Sequence, residues 1–172
     1  MSRQLLSEQI SQAESSQAIT AWVRLLRAHA SATRELSAKL LVEHGLTIND
    51  YEALLHLSRA DRGALRRVDL AGELLLTPSG VTRLLDGLEQ AGFVCKGTCE
   101  SDARVTYAVL TDAGRAKLEQ ASCSHVAAVS QLFGERFDDD ELVSLASLLG
   151  RLPGAEGDPD ACTAGGGQDS GE

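Results

Sequence analysis

Aromatic side chains are scarce in this chain: one Trp, two Tyr and three Phe among 172 residues. With 43% apolar residues there is still enough for a sizeable core, so Leu and Ala must fill most of it. No run of about eighteen apolar residues occurs, which argues against a membrane span. The opening MSRQLLSEQISQAESSQ is polar and mixed in charge, unlike a secretion signal, so a cytoplasmic protein is expected. Only four cysteines are present (Cys95, Cys99, Cys123, Cys162), too few for a disulfide scaffold at this length. In the cytosol they are thiols by default. Basic excess is absent too: the net charge is −9. Catalytic signatures are also missing. No Gly-rich phosphate loop, nucleophile elbow, Ser/His/Asp set or HExxH stretch is found, so an enzyme is not expected.

The position of the charge matters more than its sum. From Pro153 onward there are five acids and no Lys or Arg. Residues 116–152 carry three bases and six acids, and residues 61–115 seven bases against eight acids. The middle of the chain is nearly neutral. Such a domain binds a polyanion if its bases line one face.

What is present is helical periodicity with clear punctuation. Residues 15–43 contain no Gly or Pro, and Ile19, Trp22, Val23, Leu26, Leu36 and Leu40 recur at helical spacing until Gly45. Thr47 with Asp50 fits a capping box and opens a second helix through Tyr51, Leu54 and Leu55. Val68 to Leu75 reads as a short third helix. Thr77-Pro78 is the strongest start signal, an N-cap hydroxyl followed by Pro at the first helical position. That fourth helix runs to Ala91, with Val81, Leu84, Leu85 and Leu88 inward. Extended runs at Phe93–Lys96 and Val105–Leu110 suggest a hairpin. Thr111 opens a fifth helix to about Phe133, and Asp138 a sixth to Leu152. The acid run 138–141 suits the positive end of that last helix better than a Ca²⁺ site. The Gly- and Asp-rich stretch from Pro153 reads as a disordered acidic tail.

Helix, helix, capped helix and hairpin in this order form a helix-turn-helix with a wing, a unit that reads DNA. Ser79, Thr82 and Arg83 lie off the apolar face of the capped helix. Arg83 can donate two bonds to guanine, and Ser79 and Thr82 can meet bases, methyls or phosphates. Thr77 and the backbone N–H groups behind it offer a phosphate site.

The stretch LAGELLLTPSGVTRLLDGLEQAGFV, then Asp102-Ala-Arg104, then LTDAGRAKLE, closely resembles the MarR family of winged-helix transcription regulators. The likeness covers roughly residues 18–152. It implies a mainly α fold with a small antiparallel β-wing, a winged helix-turn-helix domain inside a helical dimerisation stem. By position, residues 15–46 and 111–152 would dimerise and residues 47–110 bind DNA, between a flexible segment at 1–14 and the tail at 153–172. It further implies a homodimer that binds a pseudo-palindromic operator in double-stranded DNA, usually as a repressor released by a small phenolic or aromatic ligand or by thiol oxidation. Asp102 and Arg104 match the wing pair in which the Asp orients the Arg into the minor groove. Ala103 and Gly97 stand where bases are frequent in the family, so this wing is less basic.

Two groups keep alternative readings. Trp22, His29, Tyr51 and His56 either line a ligand pocket on the first two helices or are packing residues. Cys95 and Cys99 are a metal pair, a redox pair or incidental thiols. With His125 the nearest His and no second cysteine pair, neither a metal nor a cofactor is expected. A redox role would make the protein a thiol-sensing repressor. A thiol oxidoreductase built on the same pair, or a binding module of this fold that has lost DNA contact, are the competing functions.

Overall fold

The computed structural model describes residues 16–98 and 106–155. The expectations for residues 1–14 and for most of the acidic tail lie outside those residues. The chain divides into two compact units, residues 1–35 and residues 36–172.

In the first unit the described residues are the start and body of one long helix, α1 (Gln17–His44), which continues into the second. Of the apolar stripe here, Ile19, Trp22, Val23 and Leu26 are all exposed, as is His29.

The second unit opens with the end of α1. Leu40 is buried, and Gly45, at φ +67°, closes the helix with its N–H on the Leu41 carbonyl at 2.9 Å. The predicted capping box then appears at α2 (Ile48–Arg59). The Thr47 N–H donates to Asp50 Oδ2 at 2.8 Å, and the Asp50 N–H returns to Thr47 Oγ1 at 3.2 Å. Helix α2 buries Tyr51, Ala53, Leu54, Leu55 and Leu57 and is the centre of the core. Helix α3 (Arg67–Glu73) contributes Leu70, and α4 (Pro78–Gln90) contributes Val81, Leu85 and Leu88. Leu54, Leu57, Leu70 and Leu85 lose all solvent contact. Each such leucine is worth roughly 1.5–3 kcal/mol over exposure, so this lobe carries most of the chain's hydrophobic stabilisation.

The expected hairpin is β2 (Val94–Thr98) against β3 (Thr106–Leu110), in register from Val94↔Leu110 to Thr98↔Thr106. A third strand corrects the two-stranded expectation. β1 (Ala64–Arg66) pairs antiparallel with the other edge of β3, giving the order β1-β3-β2. A tight turn at Asp61–Gly63 feeds it, with Arg62 at φ +54° and Gly63 at φ +67°. The third helix also ends earlier than Leu75: that residue sits at φ +51°, outside the helix, and is 93% exposed.

Helix α5 (Asp112–Gly134) is fastened to the sheet at its first turn. Thr111 caps it by accepting from the Gly114 N–H at 3.0 Å. The Thr111 hydroxyl donates to the Gly92 carbonyl at 2.7 Å, and its N–H to the Phe93 carbonyl at 3.1 Å. A Cβ at Gly114 would collide with that Phe93 carbonyl and meet the Leu110 side chain at 2.8 Å, so only glycine permits this approach. Helix α6 (Asp139–Leu149) begins where the acid run placed a helix start, and Asp138 with Glu141 adds a second capping box that the sequence reading did not include. It buries no residue, and it ends three residues before Leu152.

Candidate nucleic-acid interface

Helix α4 presents two opposite faces because its apolar residues recur at 81, 85 and 88. The inward face docks on the α2 and α3 leucines. The outward face holds Ser79, Thr82 and Arg83, all exposed. Thr77 occupies the N-cap and accepts from the Gly80 N–H at 3.2 Å. Pro78 has no N–H, Thr77 takes the Gly80 N–H and Val81 bonds back to the Thr77 carbonyl, so the Ser79 N–H is the donor at this end without a partner among the described residues. Ser79 Oγ lies 3.2 Å from Thr77 Oγ1, and the Thr82 hydroxyl donates to the Pro78 carbonyl at 2.9 Å. Both hydroxyl oxygens can still accept. A phosphate at this helix start would meet one backbone donor and the Ser79 and Thr77 hydroxyls. One turn further along, Asp86 shares the outward face; a carboxylate there can accept from cytosine N4.

The basic residues sort into held and free. Arg66 forms a fork onto Asp69, at 2.6 and 2.7 Å, and the carboxylate raises the guanidinium pKa further. Arg67 and Lys96 both pair with Glu89, each at 2.9 Å. Arg62, Arg83 and Arg115 are exposed and make no ion pair among the described residues. Arg83 is thus a cation on the outward face of a capped helix, with no ion-pair partner among the described residues. Asp102 and Arg104, assigned to the wing tip, lie outside the described residues, as does Cys99. Cys95 is an exposed free thiol on β2. Among the described residues no three His, Cys, Asp or Glu side chains are placed to hold a metal ion, and no helix is long and apolar enough to cross a membrane.

The four ligand candidates fall into different settings. Trp22, 56% exposed, and His29 lie in the first unit. Tyr51 is buried in the second, its hydroxyl 3.3 Å from Ser122 Oγ and its ring 4.6 Å from that of His125. His56 is half-buried with Nδ1 3.8 Å from Glu73. His125 is itself buried, with Nδ1 unpartnered among the described residues, and burial pushes its pKa down. Sequence reasoning missed Glu89: its partners stand 22 positions before it and seven after, and no local pattern joins them.

Comparison with known proteins agrees with this arrangement. Residues 44–105 match the profile of the MarR family. The fold is similar to AbsC, a MarR family transcriptional regulator from Streptomyces coelicolor, with 32% identity and a TM-score of 0.69 over 78% of this chain and 90% of that one. It is also similar to Sco3205 from the same organism, a MarR family regulator solved in complex with DNA, with 29% identity and a TM-score of 0.70 over 75% and 81%. The HTH-type transcriptional repressor YetL of Bacillus subtilis is 32% identical over 108 residues, 63% of this chain and 64% of YetL.

Proposed function

The chain belongs to the MarR family of winged helix-turn-helix regulators, non-enzymatic DNA-binding proteins; from that premise we propose that it is a cytoplasmic homodimer that represses transcription at a pseudo-palindromic operator and is released by a small aromatic or phenolic ligand. The observation that carries the DNA reading is the outward face of α4: Ser79, Thr82 and an unpaired Arg83, with the opposite face locked into the core. Thr77 and Ser79 take a phosphate, Arg83 reads a base edge, and Asp102 and Arg104 reach the adjacent groove from the wing. The name of YetL supports repression rather than activation.

Dimerisation rests on uncovered apolar surface. Val143 and Leu148 are strongly exposed on α6, and Ile19, Trp22 and Leu26 on α1. Residues 15–46 and 111–152 form the contact, leaving residues 47–110 to bind DNA. Two recognition helices then sit about 34–36 Å apart, one turn of DNA. A small aromatic ligand releases the operator only by binding a wider spacing more tightly than the DNA-bound one.

A mobility-shift assay on DNA upstream of the gene tests this. The wild-type chain should shift one duplex well below the concentration needed for random DNA. Arg83→Ala should lose about 1–3 kcal/mol of that preference with random binding little changed. Equal affinity of the wild-type chain for both duplexes would sink the DNA reading. The single Trp reports the ligand: aromatic acids that leave its fluorescence flat while the operator stays bound would remove the pocket.

A further inference from the structure

Glu89 lies in the last turn of α4, where three elements meet. One carboxylate oxygen accepts from Arg67 Nη2 at 2.9 Å, and the other lies 2.9 Å from Lys96 Nζ. Arg67 is the first residue of α3, and Lys96 is in the middle of β2. Glu89 is 19% exposed and Arg67 23%, whereas Lys96 is 56% exposed. Arg67 Nε is buried without a partner among the described residues, so that guanidinium spends its side-chain bonding on Glu89.

A half-buried carboxylate between two cations adds little net stability, because desolvation offsets much of the attraction. Its geometric effect is larger. The link from α4 to β2 is the short turn Ala91–Gly92–Phe93, with Gly92 at φ +77°. That turn is itself tied to the helix end, with the Gly92 N–H on the Glu89 carbonyl at 3.0 Å and the Phe93 N–H on the Leu88 carbonyl at 2.9 Å. The Lys96 contact adds a side-chain tie from the helix to the middle of the strand. The strand then leads, a few residues on, to the segment holding Asp102 and Arg104. Glu89 also keeps two cations off any phosphate that approaches the lobe.

We propose that Glu89 is a positioning residue for DNA recognition: it sets the wing against the recognition helix and withholds Arg67 and Lys96 from sequence-independent phosphate contact. The proposal rests on α4 being the DNA-reading helix. It deepens that reading by naming what keeps specific binding above non-specific binding in a wing with few bases.

The test measures affinity across a salt series for two duplexes of equal length: one selected by the wild-type chain from a random-sequence library, and its scrambled counterpart. Glu89→Gln keeps the shape and removes the charge. It should tighten scrambled-DNA binding and steepen its log–log salt dependence by up to about two units, one for each released cation. It should lower selected-over-scrambled discrimination roughly tenfold. Glu89→Asp, which retains the charge, should restore much of the discrimination, which a merely structural role would not require. Lys96→Met, at an exposed position, should lose discrimination while leaving the thermal midpoint in place, and it keeps the idea testable if Glu89→Gln folds poorly. Unchanged salt slopes and discrimination in both Glu89→Gln and Lys96→Met would overturn the proposal. If Arg83→Ala still lost discrimination in that case, the DNA-reading helix would stand without Glu89. A wild-type chain showing no discrimination at all would overturn both.

Discussion

Helices α4 and α6 are of similar length, 13 and 11 residues, and each starts on a side-chain cap. Helix α4 buries Val81, Leu85 and Leu88 within its own chain, whereas α6, richer in leucine, buries nothing. The pattern of apolar residues predicts a helix face in both cases. It does not say whether the covering surface belongs to the same molecule. The lobe of α2, α3 and α4 covers its own apolar face; among the described residues none of α6 is fully covered.

The sharpest way to break that contrast is to charge the uncovered helix. Leu145→Glu with Leu148→Glu should weaken self-association at least about a thousandfold, since carboxylates in an apolar contact have no compensating partner. Sedimentation should show the monomer with its helical circular dichroism largely kept. A dimer that survives both charges would place the contact elsewhere. Next in size is the paired truncation of leucines. Leu85→Ala should cost about 2–5 kcal/mol by urea denaturation, because the lobe cannot collapse onto the cavity. Leu145→Ala should cost much less in dilute protein and reveal its loss only as a concentration-dependent midpoint.

A smaller effect distinguishes the regions by pH. Burial lowers the His125 pKa below that of the unfolded chain. Between those two values the unfolded state binds the extra proton, so stability is complete above the ordinary imidazole pKa of about 6.5 and declines as pH falls through it. His125→Phe, which can still pack on Tyr51, should flatten the acid arm of the urea midpoint against pH; an unchanged acid arm would show that another group governs it. The smallest effect concerns Leu75, held at φ +51° with its side chain almost fully in solvent. Leu75→Asn tolerates that backbone better and should raise the free energy of unfolding in urea by under about 1 kcal/mol. A fall would show that the leucine makes a contact worth more than the strain.

How much of this was readable beforehand follows from range. The helix starts at Thr47, Thr77 and Thr111 were legible because each cap is a bond over three residues, whereas at Asp138 the acid run was read but not its capping box. The outward trio of α4 followed from the same local periodicity. Strand β1 was not legible: three residues, Ala64–Arg66, show no alternation long enough to register, and their partners lie more than forty positions away. The Glu89 contacts were hidden for the same reason. Gly114 stood in a recognisable LTDAG stretch, yet the cause of the glycine, a carbonyl from the end of the neighbouring turn, exists only in three dimensions.

That junction has a mechanical consequence. Thr111 grips the carbonyls of both Gly92 and Phe93 while Gly114 lets the α5 backbone press against the same turn. There is no slack between the first turn of α5 and the last turn of α4. A shift of the first turn of the 23-residue helix α5 is therefore carried to the turn that ends α4, as through a crank rather than a flexible cable. A threonine-to-valine change at 111 would remove the hydroxyl bonds to Gly92 and Gly114, putting play into that crank while leaving the outward face of α4 untouched.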